Sequence, residues 1–326
     1  MSPPSLLDVT NTVSLGDTAS AAAATNRLLE QGFGAGSFDS ELLHAAFTLL
    51  GRVFAGEHSG YLACDMPYHD LRHSLDTTLV MARLLAGYQS ERARSADGLT
   101  PEHGLLGVLL ALLHDTGYIR TASEQALCGP QLMPRHESRG VEFAGTYLRT
   151  TSLAGHANLA TLICATRMGV DFDAFFAEHE GAAIALGQML GSADLLSQMA
   201  DRRYLERCYY HLYPELVLAE ADRVRTSDGR QQILYRDGLD LLARTPQFYE
   251  GVVRKRLDHD FQGMSRYLGA HFGGADPYAS AIRSNLERVA RIVGENRLDL
   301  LGPEPPTTTS DLAPIYHTRP PRGAPS

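Results

Sequence analysis

Lysine is almost missing from this chain: of its 29 basic residues only Lys255 is a lysine. Any contact with a phosphate therefore falls to arginine, whose planar fork suits phosphate oxygens. Cysteine is scarce as well. Cys64, Cys128, Cys164 and Cys208 stand far apart with no CxxC pair, so neither a disulfide framework nor a thiolate zinc site is signalled, and a reducing, cytoplasmic setting is expected. Positive charge is short overall. A formal net charge of -9 argues against a nucleic acid polymer as partner, because polyanion binders concentrate positive charge. No basic segment precedes an apolar core at the N-terminus, and the longest apolar run, 105–113, is far short of the roughly 20 residues that cross a bilayer. Neither export nor a membrane partner is expected. Strand signals are missing too: there is no convincing period-two alternation, no hairpin turn pair and no internal repeat.

What is present is helix. The 326 residues are 44% hydrophobic, enough for a full core. DSELLHAAFTLLGRVFAG opens with a capping pattern at Asp39 or Ser40 and repeats apolar residues at three- and four-residue steps, which is the helix period. The same pattern predicts helices over 74–88, 101–115, 137–150, 156–165, 181–200, 203–213, 229–242, 249–271 and 277–296. An all-α fold follows. Residues 1–37, rich in Ala, Ser, Thr and Gly with a helical hint at 20–31, read as a mobile arm. Residues 302–326 carry seven of the 16 prolines and read as a disordered tail. Between them, 38–215 form the main helical domain, and the helices of 216–301 pack on it or on a second subunit, so a homodimer is open.

Several histidines and aspartates lie where a helical bundle can aim them at one point. His69 and His73, in YHDLRHSLDTTL, are four apart, which puts them about 40° apart on one helix face. LLALLHDTG then ends a strongly apolar helix with His114 beside Asp115, and Gly117 as a stop. A charged aspartate against such a run is costly unless compensated, and a metal ion is a common compensation. Further His-Asp doublets, His69-Asp70 and His259-Asp260, do not end an apolar helix.

In order along the chain, His73, the His114-Asp115 doublet and Asp194 in GSADLLSQMADR resemble the HD-domain metal-dependent phosphohydrolase superfamily, over roughly residues 40–215. The implied fold is an HD-domain helical bundle with extra C-terminal helices. His136 in MPRHESRG and His156 in LAGHANLA extend the likeness to the branch with two metal ions. That branch implies six ligands here: His73, His114, Asp115, His136, His156 and Asp194. Four neutral imidazoles and two carboxylates set a charge of -2 against +4, which leaves excess positive charge for a phosphate oxygen and an activated water. Asp115 would bridge the two ions, whose identity (Mn, Mg, Zn or Fe) is open.

The stretch YHDLRHSLDTT also resembles the YHN..HA.DV signature of class I cyclic-nucleotide phosphodiesterases, through Tyr68, His69, His73 and Asp76. By that likeness His69 is the general acid, His73 a ligand, and Tyr68 lies at the substrate. Asp70 stands where that family has Asn, close enough in sequence to raise the His69 pKa. HDTGYIRTASE departs from the family's HD..H.G..N. Arg72, Arg120, Arg135, Arg139 and Arg167 are candidates to hold an anion, with Arg120 and Arg167 expected at the substrate. Glu178, His179 and Glu180 are consecutive and point around a helix, and Tyr209, Tyr210 and Tyr213 read as a packing face. His211, His259 and His271 receive no role. The resemblance implies a phosphohydrolase acting on a small phosphorylated substrate, a phosphodiester such as a cyclic nucleotide being the leading case. Two other readings stand beside it: a di-iron oxygenase resembling myo-inositol oxygenase that splits a C–H or C–P bond with O₂, and a nucleotide-sensing or scaffold protein with a degenerate core.

Overall fold

The computed structural model describes residues 6–92, 98–226 and 229–307. Among them are thirteen α-helices, joined by 3₁₀ and π-helical turns, and one two-stranded hairpin. The mostly helical expectation holds. No helix among the described residues is long and apolar enough to cross a membrane.

The entry of the chain departs from the mobile arm expected over 1–37. Asp17 caps helix α1 (Thr18–Phe33) by accepting from the backbone N–H groups of Ala19 and Ser20. Ahead of it Val9, Val13 and Leu15 are buried, and Asp8 sits 2.6 Å from Arg83. The alanines that make this stretch look bland are its packing face: Ala21, Ala22 and Ala24 are buried, because small side chains let two helix backbones approach closely. Helix α2 (Ser40–Phe54) starts where the sequence places it, with Asp39 accepting from the Leu42 N–H at 2.9 Å.

Helix α3 (Leu71–Arg92) packs against α1 and against three later helices, α4 (Pro101–Leu113), α7 (Ala182–Ala200) and α12 (Arg266–His271). It is buried on nearly every side although it carries Arg72, His73, Ser74, Asp76, Thr77, Thr78, Arg83 and Gln89. A buried polar group is tolerated when it finds a partner. Thr78 donates to the Ser74 carbonyl at 2.7 Å, Thr77 meets Ser197 at 2.9 Å, and Gln89 donates to the Leu99 carbonyl at 2.9 Å. Arg72 pairs with Asp201 at 2.9 Å, and Arg83 also donates to the Tyr278 hydroxyl. Helix α4 needs none of this. Thr100 and Pro101 start it, and every residue from Gly104 to Leu113 is buried.

After α4 come α5 (His136–Leu148), a 3₁₀ run over Ala154–Thr166 where an α-helix was expected, and the short α6 (Phe172–Ala177) ahead of α7. Helices α8 (Tyr204–Arg207) and α9 (Tyr213–Leu218) flank a π-helical turn over Cys208–Leu212. The helix expected over 229–242 is only partly formed: Gln231–Ile233 is strand β2, paired antiparallel with β1 (Arg223–Arg225), and α10 (Gly238–Ala243) is the helical part. The Asp-Gly dipeptide in TSDGR is a hairpin signal that the helical period obscured. The long helix expected over 249–271 is likewise broken. It runs from α11 (Thr245–Phe248) through π-helical turns to α12, with left-handed backbone at Gln262 and Gly263 ending the turns. Helix α13 (Pro277–Gly294) lies against α7 and α10, so the C-terminal helices share the core. The tail expected over 302–326 lies outside the described residues from 308 on; before that, the Gly302 N–H donates to Glu206 at 2.9 Å.

Candidate metal centre

Two elements bring the donor atoms of His73, His114 and Asp115 within 4.8 Å of one another, and a third sets Asp194 beside the two imidazoles. His73 sits in the first turn of α3, where the Asp70 carboxylate accepts its backbone N–H at 3.1 Å. His114 follows α4 and its Nδ1–H donates to the Ala111 carbonyl at 2.7 Å, which leaves Nε2 as the free nitrogen. Asp115 precedes the 3₁₀ turn Thr116–Tyr118, and Asp194 projects from the middle of α7. His73 Nε2 lies 3.1 Å from Asp194 Oδ1 and 3.5 Å from Asp115 Oδ2. His114 Nε2 lies 3.2 Å from Asp115 Oδ2 and 3.7 Å from Asp194 Oδ1. Donor atoms bound at about 2.1 Å to one divalent ion stand about 3.0 Å (octahedral) to 3.4 Å (tetrahedral) apart, so these spacings suit a common ion.

A second observation tests the fit. His114 Nε2 and Asp115 Oδ2 are buried and, apart from their own 3.2 Å approach, neither has a hydrogen-bond partner. Orphaned polar atoms facing one another are costly unless a cation sits between them. The electrostatics of the group point to the same demand for positive charge. Burial lowers the His114 pKa, but the Asp115 and Asp194 carboxylates raise it to about 9. Burial alone would raise Asp115, and the surrounding imidazoles of His114, His69 and His73 hold it well below the ordinary carboxylate range.

Beside this cluster stands His69, 18% exposed, with Nδ1 2.6 Å from Glu215 Oε2. Burial pushes its pKa down, and Glu215, together with Asp115 and Asp194, outweighs that and raises it. The carboxylate that raises it is therefore not the expected Asp70, which serves as helix cap and lies 3.2 Å from Arg207. Tyr118 stacks on His69, ring centroids 4.8 Å apart, and on His136 at 4.1 Å. The contact with α5 is possible because Gly117 and Gly140 have no side chain: a Cβ on Gly117 would stand 1.8 Å from the His136 carbonyl oxygen, and one on Gly140 2.6 Å from that of His114.

The remaining expected residues divide. His136 donates from Nδ1 to the Met133 carbonyl at 2.6 Å, and burial holds its pKa below the usual value. His156 is not brought to the centre. It lies 3.6 Å from Glu102 and against His103, at the opposite end of α4 from His114, which is about 17 Å along that helix axis. Tyr68 is buried beneath the Arg207 guanidinium, 4.9 Å above its ring, and donates its backbone N–H to Glu215, so it forms structure rather than a substrate contact. Arg120 is engaged by Asp65 at 3.2 Å and by the Leu127 carbonyl. Arg167 is 42% exposed, faces Glu137 at 3.6 Å, and borders a cavity of about 930 Å³ lined also by His103, Asn158, Phe175 and His179.

Glu215, Glu137 and Tyr118 were not singled out by the sequence. For Glu215 the one available signal is a carboxylate set in the aromatic and apolar run HLYPELVL, since such a group must be paired if it is buried. Tyr118 and Glu137 sit three and one residues past Asp115 and His136, so proximity to those residues was their only mark. No protein-family model matches this chain, and no curated protein matches it either.

Proposed function

We propose that this chain is a metal-dependent phosphohydrolase of the HD-domain type that cleaves a small phosphoester, a phosphodiester such as a cyclic nucleotide being the leading candidate. The reading is carried by the orphaned pair His114 Nε2 and Asp115 Oδ2, converging with His73 and Asp194 at the spacing of ion ligands. A divalent ion (Mn, Mg, Zn or Fe) held by these four residues would polarise the phosphoryl oxygens and lower the pKa of water.

The chain's own residues supply the rest. His69, whose pKa Glu215 helps to raise, has Nδ1 committed to that carboxylate, so Nε2 is the position from which it can protonate a departing oxygen. Glu215 also accepts the backbone N–H groups of Tyr68 and His69, at 2.6 and 3.1 Å, which holds the acid in place. The oxygenase alternative needs a di-iron ligand set, and the distant position of His156 counts against it.

Hydrolysis of bis(p-nitrophenyl) phosphate and of a cyclic-nucleotide panel with added Mn²⁺, wild type beside Asp115→Ala, tests the proposal. Turnover by the wild type alone supports it. Silence from ion-loaded wild type overturns it.

A further inference from the structure

His211 stands in the π-helical turn Cys208–Leu212, fully buried, and neither of its ring nitrogens has a hydrogen-bond partner. A neutral imidazole so placed loses its hydrogen bonds to water. An imidazolium would carry a charge and two unanswered donors, which costs far more. The neighbouring charges do not relieve it. Asp70, ahead of α3, and Asp201, after α7, favour a proton on the ring, but each is already paired with an arginine, Asp70 with Arg207 at 3.2 Å and Asp201 with Arg72 at 2.9 Å. Burial, with Arg207 and Arg72 beside it, holds the His211 pKa down at about 3 against the two aspartates.

The segment that follows the 3₁₀ turn Leu298–Leu300 closes against this ring. The Gly302 N–H donates to Glu206 Oε1 at 2.9 Å, Arg203 donates to the Pro303 carbonyl, and Pro305 is buried. Glu206 is itself fixed by Arg288 of α13 at 2.8 Å. Between these anchors Glu304 Oε1 lies 3.5 Å from His211 Nε2. The Glu304 side chain is 57% exposed, so water screens what it adds in favour of a proton. The helical run that carries His211 continues into α9, where Glu215 stands four residues on and holds His69. The segment therefore braces the back of that run.

We infer that residues 302–305 form a strap that stays closed while His211 is neutral and is released when that imidazole takes up a proton. Once the strap lifts, water reaches Nε2, and the open form binds below about pH 6.5 a proton that the closed form excludes, so acid favours opening. The inference is independent of the metal-centre reading. Amide hydrogen exchange of the full chain, corrected for the intrinsic pH dependence of the exchange rate, tests it at the Gly302 N–H, with the Leu109 N–H in α4 as a reference for global unfolding. Between pH 7.5 and pH 5 the protection of Gly302 should fall by about 30-fold in the wild type, with no matching fall at Leu109, and should stay level in His211→Asn. Wild-type protection that stays level, or that rises because an imidazolium pairs with Glu304, overturns the inference. So does an equal fall in His211→Asn, or a loss at Leu109 in step with Gly302. If the asparagine variant does not fold, His211→Gln is read in its place.

Discussion

Glu215 grips His69 at two points: its Oε2 lies 2.6 Å from the imidazole Nδ1, and its Oε1 accepts the His69 backbone N–H at 3.1 Å. The two residues are 146 positions apart, and the carboxylate is fully buried. Such a pair fixes both the direction and the charge of the ring. It also joins the segment ahead of α3 to α9, so the proposed acid is set by a residue at the far end of the span that the resemblance covers.

Glu215→Gln should separate these effects, because the amide oxygen can keep the backbone contacts while the charge is lost. The His69 pKa then falls, and a general acid is active only below its own pKa. The alkaline limb of the pH–rate profile should move to lower pH and kcat should drop by about 10²-fold, with metal content unchanged. A profile that stays in place would remove Glu215 from this role.

Ion binding should depend on pH through His114. With its pKa raised to about 9 by Asp115 and Asp194 against the effect of burial, the free imidazole at neutral pH carries a proton that an ion must displace. Affinity should therefore tighten on going from pH 6.5 to 8.5, by about tenfold per unit below the pKa, and level off above it. Competition against a chelator at three pH values measures this. A flat response would mean that His114 is not displaced by the ion.

How much of this was legible in the sequence depends on distance along the chain. The helices with an unbroken apolar period, α2, α4, α7 and α13, lie close to where the period predicts them, because one buried face dictates both pattern and length. The doublet at the end of α4 was readable for the same reason: a charge at the end of an apolar run demands a partner. His156 misled because its spacing fits a ligand set while its segment folds as a 3₁₀ run over α4. Spacing says nothing about which end of a helix a segment crosses. Asp8 and Glu215 were invisible for a different reason. Each acquires its meaning from a residue 75 or 146 positions away, and no local pattern encodes that.

The Asp8–Arg83 pair gives the N-terminal segment a measurable weight. Asp8 also accepts the backbone N–H groups of Thr12 and Val13, at 2.9 and 3.0 Å, and its carboxylate is buried. Burial alone would raise its pKa; the Arg83 charge and these hydrogen bonds bring it below the ordinary value. Asp8→Ala leaves a buried guanidinium without its carboxylate and should cost about 3 kcal/mol, read as a lower urea midpoint. A cost below about 1 kcal/mol would return this segment to the status of a peripheral arm.

Asp76 makes stability itself pH-dependent, in the direction opposite to an ordinary ion-paired aspartate. It is buried three residues after His73, its Oδ1 has no hydrogen-bond partner, and burial together with the Asp201 charge raises its pKa to about 7 despite Arg72. The folded state therefore binds a proton that the unfolded chain has already released between about pH 4 and pH 7. Stability should fall as pH rises through that window, by on the order of 2–4 kcal/mol, and level off above it. Asp76→Asn, which stays neutral, should unfold at a higher temperature than wild type at pH 8, with the gap closing toward pH 5. An equal gap at both pH values would show that Asp76 does not titrate there, and that its carboxylate has found a partner at every pH.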